Sequence, residues 1–402
     1  MTCILGAGAT IPVGGPTTAA LTDAVCKTMQ TTRHPITGEW RQVAFLKEVA
    51  DRLNGFLSPR LCNFEDILHV LETLDSYRTG WRSTTAPSYR PRPAAFLSPR
   101  DLKWFDQLAL QSGKEELVRA VAQEVAKSVS LYNPGGHYHW FRAFWTDAFS
   151  RANWDMATLN YDDLFERTAV DFEDGYQRVG DPTAFEPDLV WKETPVRILH
   201  LHGSILFGYP VPPPTGVWQP SFNDLWKFPE TASAQKTWFD RSWHTSQANE
   251  EVVTGPIITG LRKPDKLTVQ PYGEYQDVLG AAIRESPRLL VIGYSFGDLY
   301  LNDILRRHPG RHKTRRRVVF VTRFGDPQQW HCDPRVLSGE WLTTPMREFM
   351  AEAMHSSEPL GSSLTYSEVL CSKDGCCRIH LGGTEAALQN YSNEILEFLT
   401  AP

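Results

Sequence analysis

Four short stretches of the chain set residues capable of chemistry beside residues that make tight turns. The first is Gly6-Ala7-Gly8, which follows the apolar run Cys3-Ile4-Leu5. Two glycines at the end of a buried strand let the backbone approach a pyrophosphate, and Thr10 adds a hydroxyl to the same turn. The third glycine of the G-x-G-x-x-G fingerprint is missing, because Ile11 stands in its place, and Asp23 falls inside a predicted helix instead of closing a second strand. The second stretch, TLNYDDLFE, puts Thr158, Asn160 and Asp162 between a predicted strand and a helix. Carboxyl ends of parallel strands face the ligand crevice, so the amide and the carboxylate point to ligand work, whereas Asp163 reads as a helix cap. The third, HLHGS, sets His202 beside Gly203 at another strand end, a placement suited to acid-base catalysis. The fourth, VIGYSFGDLYLNDIL, brings Gly293, Ser295, Phe296 and Asp298 to the end of a very apolar strand, where amides and a hydroxyl suit a second phosphate or a ribose.

These turns need strands to carry them. Apolar runs at 155–160, 196–203, 256–260 (PIITG), 288–298 and 317–322 are short and separated by helix-compatible segments, the pattern of parallel strands buried on both faces. CRIHLGG near the C-terminus reads as a last strand, followed by an amphipathic helix in EAALQNYSNEILEFL. A first helix is expected from about Thr17 to Met29, and helical periodicity with few strand signals runs from about Gly38 to Phe149. The fold class expected is α/β, a Rossmann-like parallel sheet with helices on both faces, plus a helical insertion subdomain. The sheet domain would take residues 1–37 and 150–402, and the insertion 38–149. Within the insertion, TTAPSYRPRPAAFLSPR reads as a long loop, and the Trp- and Pro-rich stretch from Phe207 to about Glu251 reads as an excursion covering one side of the site.

Composition narrows the function class. The chain has 402 residues, 41% hydrophobic and 22% charged, with a net charge of -6, which argues against a surface devoted to nucleic acid. The run RHPGRHKTRRR, holding Arg311 to Arg317, reads as a solvated loop before a strand, with contact to nucleic acid or an acidic partner as the sharper alternative. The tryptophans between 140 and 243 are not interleaved with basic residues and read as packing. Seven cysteines include no C-x-x-C pair; Cys371, Cys376 and Cys377 with His380 form the one cluster worth a metal test, and its spacing is wrong, so no metal is expected. Neither a signal-peptide pattern nor a span-length apolar stretch occurs, so a soluble cytoplasmic protein with no membrane partner is expected.

Taken together and in this order, Gly-Ala-Gly, Thr-x-Asn-x-Asp, His-Gly and Gly-x-Ser resemble the sirtuin fold. The spelling TLNYD, HLHGS and GYSFGD is closer to the sirtuin-like NAD hydrolases of bacterial anti-phage defence than to deacetylases. The likeness spans the chain except the helical insertion. It implies NAD as substrate, with Asn160 holding the ribose or the attacking water, His202 as general base, and Asp162 fixing the nicotinamide end. Gly6, Ala7, Gly8 and Thr10 would hold the pyrophosphate, and Gly293, Ser295 and Phe296 would line the adenosine side, with Thr322 a further adenosine candidate. Two departures stand out. No cysteine occurs between Gly203 and Gly293, where deacetylating sirtuins carry a zinc ribbon, and Gly15-Pro16-Thr17-Thr18 replaces their Gly-Ile-Pro-Asp-Phe-Arg loop. Both fit a hydrolase whose second substrate is water, with no zinc. A zinc-free NAD-dependent deacylase and a non-catalytic NAD or ADP-ribose sensor are the alternatives. The chain stops after its last helix, so control would come from self-assembly into a homo-oligomer or from a separate partner, for which the resemblance suggests a HerA-like DNA-translocating ATPase.

Overall fold

The computed structural model describes residues 1–33, 37, 39–59, 61–79, 107–133, 135–169, 171–177, 182–209, 224–237, 244–245, 251–252, 255–259, 266–267, 269–323, 369–372 and 374–401. Its centre is a seven-stranded sheet: β1 (Thr2–Leu5), β2 (Trp154–Thr158), β3 (Val196–His200), β4 (Arg288–Ile292), β5 (Arg317–Val321), β6 (Val369–Cys371) and β7 (Cys377–His380). The spatial order is β6-β7-β5-β4-β1-β2-β3, parallel except for β6, which runs antiparallel to β7. This is the Rossmann-like α/β sheet that the apolar runs predict.

The two-residue period of a strand divides the side chains between two cores. Cys3, Leu5, Met156, Ile198, Ile292 and Val321 pack on one face; Ile4, Ala157, Leu199, Val291 and Phe320 pack on the other. β1 is buried along its whole length, which explains why its sequence is apolar from Cys3 onward. The first face is covered by α1 (Thr18–Cys26), α2 (Phe45–Leu57), α3 (Phe64–Thr79), α4 (Gln107–Val129) and α5 (His139–Arg151), whose apolar stripes join one core with the sheet. Trp140, Trp145 and Trp154 are buried in that core, as packing residues. After β2 comes a short helix, α6 (Leu164–Thr168). The second face is covered by α7 (Tyr272–Glu285) and α8 (Leu299–Leu305), while α9 (Gly383–Asn390) and α10 (Ser392–Thr400) return to the first.

Three expectations change. PIITG is not a strand of the sheet: within the described residues 255–259, Ile257 makes a single bridge to Gly203. The segment from Gly38, expected to be mainly helical, opens instead on a strand, Trp40–Val43, paired in a hairpin with Gln30–Arg33. The basic run is solvated at Arg307, Arg311, Lys313 and Arg315, but it is not a loop. It forms a short helix, Arg307–His312, and a turn, after which fully buried Arg316 pairs with Asp374 and Arg317 starts β5. The stretch TTAPSYRPRPAAFLSPR, and residues 210–223, 238–243 and 246–250 of the 207–251 excursion, lie outside the described residues.

Among the described residues no helix is long and apolar enough to cross a membrane, and no group of three or more His, Cys, Asp or Glu could hold a metal. The register β6–β7 pairs Cys371 with Arg378 and Val369 with His380, which places the cysteine and the histidine at opposite ends of the ladder.

Candidate active site

The chain passes from β1 to β2 and β3 on one side and then to β4 and β5 on the other, so the carboxyl ends of β1 and β4 flank the point where strand order reverses. Ligands of open α/β sheets bind in that crevice. A cavity of about 400 Å3 opens there, lined by Gly6, Ala7, Gly8, Thr10, Asn160, Asp162, His202, Gly293 and Ser295 among others. Nine sequence-predicted residues therefore converge on one space. Phe296 and Thr322 do not line it. Phe296 is buried against the Tyr294 and Phe320 rings, and Thr322 is held between the β7 end and α9, its amide donating to the His380 carbonyl and its carbonyl accepting from Gly383.

The glycines are explained first by each other. A Cβ on Gly6 would lie 2.4 Å from the Gly293 carbonyl oxygen, and one on Gly293 would lie 2.3 Å from the Ala9 amide nitrogen. Gly293 also has φ 62°, a left-handed conformation that disfavours side chains. The turns after β1 and β4 thus touch backbone to backbone, and Gly8 donates its amide to the Gly293 carbonyl at 3.1 Å. Most amides of the first turn are used internally: Gly6 donates to Ile292, Ala9 to Gly6 and Thr10 to Ala7. That leaves the Ala7 amide as the donor this turn can offer an anion, together with the close approach the glycines allow.

Asn160 sits just past β2 and is buried. Its Nδ2 donates to the Gly6 carbonyl at 3.0 Å and to Thr10 Oγ1 at 3.2 Å. A carbonyl can only accept, so this contact sets the amide's orientation and leaves Oδ1 as the acceptor presented by the side chain. Asp162 accepts the Leu164 amide at 3.2 Å. Burial pushes its carboxyl up to about 6, against the pull of the Leu164 amide and the Thr10 hydroxyl, which favour the ion. Asp163, expected to cap the helix, stands at the N-cap position but makes no side-chain cap bond and pairs with Arg167 at 2.9 Å.

His202 follows β3. Gly203, with φ 102°, has space for no Cβ, which would fall 1.9 Å from the Pro256 carbonyl oxygen. The His202 carbonyl accepts the Ile258 amide at 2.8 Å, and Nε2 of the ring lies 2.9 Å from Oδ2 of Asp298. Beneath it, His200 is buried 3.3 Å from Glu166, whose carboxyl is held down at about 2 because Lys227 and His200 outweigh the effect of burial. Lys227 also pairs with Asp174.

Residues 155–335 match the family model of the SIR2-like domain. SIR2-like domains are in general NAD-dependent enzymes. The SIR2-like match covers Asn160, Asp162, His202 and the β4 turn; the Gly6–Gly8 turn lies before it in sequence but forms the other wall of the same crevice. No curated protein matches the chain.

Among the wall residues given no role from the sequence are Phe64, Glu65 and Asp298. Phe64 and Glu65 come from the first turn of α3, which is fixed by reciprocal bonds between Asn63 and Asp66 and by the Phe64 amide donating to Thr22 Oγ1 of α1 at 3.0 Å. Glu65 Oε1 accepts from Thr259 at 2.7 Å. Nothing in a helical periodicity marks such a residue as ligand-facing. Asp298, noted only as part of the β4 turn, could be found from its place just before a helix.

Proposed function

We propose that the chain is an NAD hydrolase that cleaves the nicotinamide-ribose bond. NAD and water give nicotinamide, ADP-ribose and a proton. The observation that carries this reading is the meeting of an oriented Asn160 amide and the His202 imidazole in one cavity with the Gly6–Gly8 turn, at the switch point of a sheet with a SIR2-like match. As the bond to nicotinamide breaks, positive charge develops on the ribose, as in glycoside hydrolysis. Asn160 Oδ1 accepts from a ribose hydroxyl or from the attacking water, and His202 takes the proton that water loses on forming its bond to the anomeric carbon. Glu65, Asp162 and Asp298 line the cavity, and among the described lining residues there is no lysine or arginine, so the local field favours that developing cation.

Removing NAD is costly to the cell that does it, which fits anti-phage defence in the cytoplasm under control of self-assembly or of a HerA-like ATPase. Cys3, Cys62, Cys376 and Cys377 are buried and none is in a disulfide among the described residues, which suits a reducing compartment. Phe56 and Leu61, 86% and 74% exposed, are apolar surface that assembly would cover.

The deciding experiment incubates the purified chain with NAD, alone and with a candidate ATPase and DNA, and follows nicotinamide by chromatography. Release that disappears in Asn160→Ala supports the reading. NAD binding with no release under any condition overturns it in favour of a sensor.

A further inference from the structure

We infer that Asp298 is the positioning residue for His202 and decides which ring nitrogen takes up a proton. The inference rests on the NAD-hydrolase reading for its kinetic consequence, though not for the pairing itself. The two residues are 96 positions apart and come from different strand ends, yet both line the cavity with Nε2 and Oδ2 at 2.9 Å. The Asp298 carboxylate is divided between two tasks. Oδ1 accepts the Leu301 amide at 3.1 Å and caps α8, and Oδ2 faces the imidazole. A cap alone would need only Oδ1.

An ionised carboxylate can accept a hydrogen bond but not donate one. The proton of the neutral imidazole therefore sits on Nε2, and Nδ1 keeps the lone pair. His202 then acts as base through Nδ1, and the imidazolium that results is stabilised by the carboxylate behind it, a division of labour known from acid-base triads. Both mounts are rigid. His202 is fixed by the Gly203–Pro256 approach and the Ile258 amide. The turn leading to Asp298 is fixed by Tyr294, whose hydroxyl lies 2.8 Å from Asn302 Oδ1 and accepts the Asp298 amide at 3.2 Å, and by Asn302 Nδ2 donating to the Phe296 carbonyl at 2.8 Å.

Asparagine and serine cap helices about as well as aspartate. Asp298→Asn thus removes the charge, and Asp298→Ser removes the reach to the ring, while the α8 cap is kept; matching circular dichroism and Tm verify the fold. The first readout is ligand-free: nitrogen NMR of the full chain labelled at histidine nitrogens, with His202 assigned by its loss in His202→Gln. Wild type is expected to show His202 protonated at Nε2, and Asp298→Ser a mixture of tautomers. The second is steady-state nicotinamide release, where both variants are expected to lose about 100-fold in kcat with KM for NAD changed by less than about threefold. An unchanged tautomer in Asp298→Ser, or kcat within about twofold of wild type in both variants, overturns the inference. Should wild type release no nicotinamide at all, the hydrolase reading fails, and the tautomer measurement still decides the pairing.

Discussion

Lys266 Nζ lies 2.9 Å from Glu72 Oε1 and donates also to the Thr259 carbonyl at 3.0 Å, so one buried ammonium ties α3 to the segment behind His202. Thr259 bonds Glu65 on the same helix, and its neighbour Ile258 holds the His202 carbonyl. The helical segment and the strand ends of the candidate site are thereby joined through a polar clasp whose members, Glu72 and Lys266, are 6% and 3% exposed.

Breaking that clasp removes the ammonium that faces a buried carboxylate. Lys266→Met is expected to cost about 3–5 kcal/mol, read from urea denaturation. Lys266→Met combined with Glu72→Gln should recover much of the loss, because both charges are then gone. A single-variant cost under about 1 kcal/mol would show that water or another cation serves Glu72.

Asn160→Ala tests the amide at the cavity floor. The substitution deletes the bonds to Gly6 and Thr10, worth about 1 kcal/mol each, so the fold survives. Nicotinamide release should fall by at least about 100-fold, with the Tm lowered by only a few degrees. A folded variant with near-normal turnover would remove Asn160 from the mechanism.

The strands of the sheet were readable because β1, β4 and β5 are buried on both faces after their first residue and so are apolar from there on. PIITG has the same composition and misled for that reason; what separates it is its partner, Gly203, which is a turn and not a strand. Position along a motif located Asn160, Asp162 and His202 in the crevice, yet the same counting failed for Phe296 and Thr322. One residue of advance at a strand end turns a side chain from the cavity to the core, and the left-handed turn at Phe296, φ 58°, lies beyond what strand alternation describes. Glu65 was unreadable because its role comes from how α3 docks on α1 and the sheet, a tertiary fact with no local mark.

Gly293→Ala separates steric need from conformational need. At Gly293 a side chain meets both a positive φ and the Gly8 and Ala9 backbone, whereas Gly375, with φ 68°, has nothing within 4 Å of a Cβ. Gly375→Ala should cost about 1–2 kcal/mol, the strain of a left-handed alanine. Gly293→Ala should cost at least about 2 kcal/mol more and abolish NAD binding by calorimetry, because the two turns that form the cavity must part. Equal costs at the two positions would show that the turns yield without loss.

Asp162 links stability to function through its titration. Its folded carboxyl titrates near 6 because burial penalises the ion, against 3.8 for an ordinary aspartate. Above pH 6 the folded state carries the full cost of the buried charge, roughly 3 kcal/mol. As pH falls from 6 to 4 the folded carboxyl takes up a proton before the unfolded one does, and the cost fades; below 4 both are neutral and none remains. Asp162→Asn keeps an acceptor for the Leu164 amide and a donor for Thr10 but carries no charge. It should therefore be more stable than wild type at pH 8, by up to about 3 kcal/mol in urea denaturation, with the advantage gone at pH 4. The same variant should release nicotinamide more slowly than wild type above pH 6, and the gap should close as pH drops through 6 and wild type loses activity, because the charge that destabilises the fold is the one the developing cation uses. A variant no more stable than wild type at pH 8 would show that the Thr10 hydroxyl and the Leu164 amide already compensate the burial.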